Sequence, residues 1–247
     1  MANWSDPRPG VAPFRAATGT RDVAYDAGLR SFMLSVYNLM ASGVLLTGVL
    51  ALGFAYSGAW RVLVSGNHLS PLGWIVALAP LGLALIVNFG GRNMSNGALQ
   101  AIFWAFAATF GVSLSTIFIA YTSTSIAGAF FATAAGFAGL SLYGYTTERD
   151  LSAVASFLIV GLVGIIVASL FNLWLGSGPL NLVIAIAGVL VFAGLTAWHT
   201  QRTKGMYAYV AGTADEGRAR TMSALSLYLD FINMFMFILQ LFGGRRS

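Results

Sequence analysis

The sequence predicts an all-α membrane protein of seven transmembrane helices, with its N-terminus in the cytoplasm and its C-terminus outside. Two observations support this fold class. The chain of 247 residues is 57% hydrophobic and only 9% charged, whereas soluble domains carry roughly 25% charged residues. The apolar residues also form runs close to the roughly 20 residues that a helix needs to cross a bilayer.

The first thirty residues are polar and contain Pro7, Pro9 and Pro13 without an apolar core. We therefore expect residues 1–30 to be a disordered cytoplasmic tail and not a cleavable signal peptide. Residues 31–247 are predicted to form one transmembrane domain. Its seven helices are expected at 32–56, 71–90, 99–121, 125–145, 151–175, 180–201 and 221–243.

Local sequence signals refine these helices. Pro71 and Pro179 fall at helix starts, where proline is tolerated, and Pro80 should kink the second helix, as a hinge or passively. Helices three and four are separated only by the polar residues 121–125, which predicts a tight helical hairpin. Gly128 and Gly136, spaced around Ala132, predict close helix packing in the fourth span.

The basic residues predict the orientation. Seven spans put ten Lys and Arg on the N-terminal side and three on the other. The positive-inside rule then places the N-terminus in the cytoplasm. Counting only the loops between spans gives six against one in the same sense.

Asp230 is the only acidic residue inside an apolar run; the other seven Asp and Glu lie in polar segments. A charge at the membrane centre costs a few kcal/mol, roughly, and usually faces a bundle interior or a water-filled cavity. On a helix, Ser226, Asp230 and Asn233 share one stripe with Ser223 and Gln240. The stripe predicts a functional acid, although a neutral, merely hydrogen-bonded Asp230 would also fit.

His199 is the other ionisable residue inside a predicted span, with Thr196 one turn earlier on the same face. It is either a pH-responsive group or a satisfied interfacial residue. Predicted depths argue against a contact with Asp230: roughly 13 Å into the last span for the aspartate, against roughly 5 Å for the histidine. They pair only if the sixth helix extends beyond the membrane or the seventh enters it less deeply.

Catalytic and cofactor motifs are absent from the sequence. There is no Cys, and only two His are present, with no zinc-protease motif, phosphate-binding loop or nucleophile elbow. We therefore expect no enzyme activity, no metal site and no cofactor, and no nucleic-acid partner.

Four segments resemble the Bax inhibitor family, the transmembrane Bax inhibitor motif proteins, and most closely its bacterial members. They are residues 37–52, SLYGYTTERDLS (141–152), VFAGLTAWHTQ (191–201) and SLYLDFINMFMFILQLFG (226–243). The resemblance implies seven helices in the bacterial inner (plasma) membrane. It also implies, in some members, a pH-sensitive leak of calcium or other cations, and in others the restraint of cell death or regulation of a membrane protease.

The family pattern pairs two aspartates on the last two helices as a proton-sensing latch. Asp230 matches the second, whereas His199 stands where the family has the first. Two close carboxylates share a proton, but His and Asp favour each other's charged forms. The resemblance thus implies an ion-pair latch that loosens when Asp230 gains or His199 loses a proton. One imidazole and one carboxylate make a poorer calcium site than two carboxylates, because calcium prefers oxygen ligands.

The sequence therefore favours a calcium or cation leak gated at Asp230 and His199, with Asn233, Ser226 and Thr196 as polar lining. Arg92, predicted at the cytoplasmic end of the second span, is a candidate competitor for Asp230. The alternative is a non-conducting regulator that binds a membrane protease or stress-pathway partner. In that case the loop 202–220 is either a docking surface or a plain linker.

Overall fold

A computed structural model describes residues 15–65, 68–90 and 94–244, with side chains from Tyr25 onward except at residues 81, 84, 85 and 88–90. Within these residues the chain forms eight α-helices, one 3₁₀ turn and one two-stranded hairpin. The helices are α1 (Arg15–Ser57), α2 (Pro71–Gly90), α3 (Asn96–Leu114), α4 (Ile117–Ala120), α5 (Ser123–Thr146), α6 (Ser152–Leu175), α7 (Gly178–Val210) and α8 (Glu216–Phe242). The 3₁₀ turn is Ala59–Val62, and the strands are β1 (Val64–Ser65) and β2 (His68–Leu69), which pair antiparallel.

The chain is an all-α membrane protein. In the described residues, six helical segments are long and apolar enough to cross a bilayer: Tyr25–Ser57, Asn96–Ala120, Ser123–Thr146, Ser152–Leu175, Gly178–Val210 and Glu216–Phe242. The second predicted span corresponds to α2, which has Pro80 in its interior and in which only Pro71–Pro80 stands out as a shorter apolar helix. A seventh span and the sidedness of the termini stay predictions.

Helix α1 begins at Arg15, well before the expected start of the first span at residue 32. The second half of the polar segment 1–30 is therefore helical. Leu29 and Phe32 of α1 are buried. The centroid of the Phe32 ring lies 5.3 Å from that of Tyr207 on α7, so this part of α1 packs against α7. The division into a tail and a membrane domain at residue 30 stays a prediction.

The predicted third span is broken into α3 and α4 at Ser115 and Thr116. Their hydroxyls donate to the carbonyl oxygens of Val112 and Ser113, three residues back in each case. The following connection is as short as expected, and Thr122 caps α5 by accepting a hydrogen bond from the Ser125 N–H. The expected hairpin packing is wrong, however: α3 packs mainly on α1 and α2, and α5 mainly on α7 and α8.

Helix α8 lies at the centre of the bundle. It packs against α1, α3, α5 and α7, and 50% of its apolar 18-residue stretch is buried inside the bundle. Leu227, Tyr228 and Leu239 are completely buried. The stretch that carries Asp230 is thus the helix around which the others are arranged.

Helices α7 and α8 form a long antiparallel pair joined by residues 211–215. Gly212 in this turn has φ 69°, a left-handed conformation that glycine adopts without strain. The segment 202–220, predicted as the longest cytosolic loop, is therefore mostly helix. The sequence prediction was wrong here because Lys, Arg and Glu end an apolar run without ending a helix.

Candidate functional site: a buried histidine–aspartate pair

The extension of α7 places His199 and Asp230 at the same height. His199 lies eleven residues before the end of α7, and Asp230 lies fourteen residues after the start of α8. At 1.5 Å per residue these offsets are about 17 and 21 Å from the connecting turn. The extended sixth helix was one of the two conditions under which the sequence allowed a contact, and α7 continues to Val210.

The two side chains are in direct contact. His199 Nδ1 lies 2.6 Å from Asp230 Oδ2, within hydrogen-bond distance. The Asp230 side chain is only 2% exposed and that of His199 is 18% exposed. With a protonated imidazole the contact is an ion pair, and with a neutral imidazole and a carboxyl group it is a neutral hydrogen bond. One proton therefore decides whether α7 and α8 are joined by opposite charges.

A groove between α6, α7 and α8 reaches the pair from the side of the bundle where α6 lies. Its volume is about 600 Å³, and both His199 and Asp230 line it. The α6 wall is apolar except for Ser169, and α8 adds Ser226 and Asn233. Within the described part of the chain, no charged side chain other than those of the pair lines this groove.

A second cavity of about 420 Å³ reaches His199 from the end of the bundle where α7 and α8 join. Arg202, Asp215 and Arg218 line it, so this end is charged and accessible to water. His199 and Ser226 line both cavities. The pair thus lies where a polar vestibule meets a membrane-depth groove.

The other predicted lining residues have distinct positions. Ser226 and Asn233 line the groove, while their side chains also donate to the carbonyl oxygens of Met222 and Leu229 on their own helix. Thr196 is fully buried, donates to the Phe192 carbonyl oxygen, and lines neither cavity. Arg92 lies outside the described residues.

The arrangement suits proton exchange better than tight metal binding. A buried carboxylate and an imidazole offer one oxygen-bearing group and one nitrogen ligand, whereas calcium takes six to eight oxygens. Among the described residues no three His, Asp or Glu side chains come close enough to hold a metal ion. The pair supplies charge and one transferable proton.

Sequence reasoning missed Gln201, which fixes the helix carrying His199. Its side chain accepts a hydrogen bond from the Leu151 N–H at 3.0 Å and donates to the Arg149 carbonyl oxygen at 2.7 Å. Lys204 adds a second clamp by donating to the Tyr145 carbonyl oxygen at 2.9 Å. The Gln201 contacts tie α7 to the connection between α5 and α6, and the Lys204 contact ties it to the C-terminal end of α5.

Tyr228 was missed as well. Its ring is fully buried against Phe103 and Phe106, and its hydroxyl lies 2.7 Å from Thr47 Oγ1. Thr47 Oγ1 in turn donates to the Ala107 carbonyl oxygen at 2.8 Å. This chain of hydrogen bonds joins α8, α1 and α3. A tyrosine in a run of apolar residues gives no sequence signal for such a role.

The chain is similar to known proteins over nearly its whole length. A family model described as "Inhibitor of apoptosis-promoting Bax1" matches residues 29–247. A protein of Caulobacter vibrioides is 44% identical over 233 residues, covering 92% of this chain and 93% of its own. A Rickettsia prowazekii protein is 42% identical, covering 93% and 96%. The inner membrane protein YbhL of Escherichia coli K12 is 43% identical, covering 89% and 94%.

Proposed function

Because the chain belongs to the Bax inhibitor family, we propose that it is a pH-sensitive cation leak of the inner membrane, with the His199–Asp230 pair as its latch. The inner-membrane location follows from the name of the Escherichia coli relative. The main support for the latch is the 2.6 Å contact between the only acid inside a predicted span and the histidine of the neighbouring helix.

The pair is well placed to hold α7 and α8 together. Asp230 is buried on the central helix, and among the described residues no Lys or Arg forms an ion pair with it. Removing one partner of a buried ion pair typically costs about 3–5 kcal/mol. A change in charge at this contact therefore changes the preferred position of α8 relative to α7.

The two cavities supply routes to the pair. Protons and cations reach His199 from the charged vestibule, and the groove continues past Asp230 to Asn233. The two cavities share only His199 and Ser226 among their described lining residues. In this proposal the closed pair blocks the route, and loosening it joins the vestibule to the groove.

The direction of the pH response follows from the two charges. At low pH, protonation of Asp230 removes the carboxylate that attracts the imidazolium. At high pH, loss of the imidazolium proton weakens the same contact. The other ionisable groups on the vestibule are Arg202, Asp215 and Arg218, while the α6 wall carries none. The leak should therefore be smallest at intermediate pH.

Liposome flux tests this proposal. Purified full-length protein is reconstituted, and calcium and proton flux are recorded from acid to alkaline pH. Asp230→Asn keeps the side-chain shape but cannot carry charge. It should raise flux at intermediate pH by at least about tenfold, because a hydrogen bond to a charged group is worth roughly 1.5–3 kcal/mol and about 1.4 kcal/mol corresponds to a factor of ten. It should also flatten the acid limb of the profile.

Asp150→Asn is the matched control. Asp150 lies on the exposed connection before α6, where hydrogen bonds from the Ser152 side chain and N–H hold the pKa of its carboxyl below the usual value. It is ionised at neutral pH and lines neither cavity, so its loss should leave flux unchanged. A wild-type pH profile in Asp230→Asn would overturn the gating proposal.

One observation favours a second candidate, a non-conducting regulator of a membrane protease or stress-pathway partner. His199 leaves the site one carboxylate fewer than the family pattern, which weakens the case for calcium conduction. The docking loop expected for this role is only the turn 211–215 between α7 and α8. A stoichiometric partner crosslinked in native membranes, together with silent liposomes, would support this candidate.

A further inference from the structure

A seam runs along the side of the bundle between α1 and α5. Each of these helices packs against α8, and neither is a main neighbour of the other. Two cavities lie in the seam, one of about 580 Å³ near Arg30 and one of about 380 Å³ further along α1. The second is almost entirely apolar and has Phe231 and Phe235 of α8 among its lining residues.

Two residues that line the first cavity carry a hydroxyl group with no hydrogen-bond partner among the described residues. These groups are Tyr37 Oη and Ser141 Oγ, both shielded from solvent, and the Ser141 residue is only 6% exposed. Burying a hydroxyl without a partner is unfavourable, so such groups usually have a ligand or water. Arg30 lines the same cavity at its outer end and is exposed.

We propose that this seam binds one glycerophospholipid, with its phosphate at Arg30, its ester oxygens on Tyr37 and Ser141, and an acyl chain along the apolar cavity. Tyr37 lies seven residues beyond Arg30, about 10 Å deeper along α1. That order, a cation outside and neutral hydroxyl donors further in, matches the order of phosphate and esters in a phospholipid.

A phospholipid fits these groups better than a helix from a second copy. The carbonyl oxygens of a helix are already bonded within that helix, so they are poor acceptors for two additional hydroxyl donors. Ester carbonyls of a lipid are free to accept. The far cavity is lined by side chains such as Leu45, Ala127 and Phe131, which offer an acyl chain only apolar contacts.

Native mass spectrometry of the purified full-length protein tests the proposal. The probes are phosphatidylglycerol and a diacylglycerol with the same acyl chains but no phosphate. Wild-type protein should retain one phosphatidylglycerol and about tenfold less diacylglycerol, as expected for one charge-assisted contact with the phosphate. Arg30→Ala should abolish that difference, whereas Arg149→Ala, an exposed arginine outside the seam, should preserve it.

Two further variants test the deeper part of the seam. Tyr37→Phe combined with Ser141→Ala removes both unpaired hydroxyls with little change in shape, and should lower retention of both probes several-fold. Ala127→Phe should fill the apolar cavity and reduce retention, while Ala135→Phe, on an exposed face of the same helix, should not.

Equal retention of the two probes by wild-type protein would overturn the proposal. So would equal retention of phosphatidylglycerol by all the variants, since a lipid bound only to the outer surface gives that result. Because the readout is lipid retention and not ion flux, the outcome is separate from that of the cation-leak proposal.

Discussion

Gly144 on α5 offers a sharp test of how α7 is held in place. A Cβ atom added there would overlap the carbonyl oxygen of Ala197 on α7, and would lie only 2.9 and 3.0 Å from the Ala197 carbonyl carbon and Cα. These are backbone atoms, so no rotamer change relieves the clash and the two helices must separate. Ala197 lies two residues before His199, so the displacement reaches the latch.

The magnitude of the Gly144→Ala effect follows from two opposing contributions. Replacing glycine by alanine inside a helix stabilises by about 0.5–1 kcal/mol where there is space. Overpacking costs about 1–3 kcal/mol, and more against rigid backbone. The net loss of about 2 kcal/mol should lower the unfolding midpoint by about 4–8 °C in a domain of this size.

Gly136→Ala is the control, because a Cβ atom at Gly136 on the same helix would meet nothing within 4 Å. Thermal unfolding of both variants in one detergent, followed by circular dichroism, gives the comparison. Gly136→Ala should match or exceed the wild-type midpoint. If the two variants unfold at the same temperature, the close approach of α5 and α7 does not contribute as argued.

Three further changes test the surroundings of the latch. Tyr228→Phe should lower the free energy of unfolding by about 1 kcal/mol, because Thr47 keeps its other hydrogen bond. His199→Asp should replace the two-limbed pH profile of flux with that of a carboxylate pair sharing one proton, and favour calcium over protons. Gln201→Leu should speed hydrogen exchange of the Leu151 amide about fivefold, measured by mass spectrometry, because that amide loses its acceptor.

The overall class could be predicted from the sequence because it depends on hydropathy alone. Long apolar runs identify membrane helices without knowledge of their partners. The N-terminal ends of α2 and α5, for example, fall within two residues of the expected positions, since Pro71 and Thr122 start helices by local chemistry.

Packing between helices could not be predicted in the same way. Gly128 and Gly136 looked like a helix contact, yet a Cβ atom at either would meet no neighbour within 4 Å. Close contacts occur at other glycines, for example at Gly144 against Ala197 and at Gly188 against Phe237. A spacing of small residues shows that close approach is sterically possible, but not which face of the helix meets a neighbour.

The site lies between these two cases. Asp230 stood out because a charge in an apolar run is costly wherever the helix lies. Its contact with His199 depended on the length of α7, which continues to Val210 through residues too polar to count as a span. The clamp formed by Gln201 needs the α5–α6 connection in three dimensions, and no local pattern contains that information.

The two proposed sites lie on different faces of α8, because the adjacent residues Asp230 and Phe231 point about 100° apart around the helix axis. Asp230 faces His199 and the groove toward α6, while Phe231 lines the seam between α1 and α5. A shift of α8 that separates the pair therefore also changes the width of the seam. Coupling between two sites is reciprocal, so if protonation of Asp230 changes lipid affinity by some factor, bound lipid changes the proton affinity of Asp230 by the same factor. Lipid composition and pH would then act on one helix, and flux measured in a single lipid would reveal only part of the regulation.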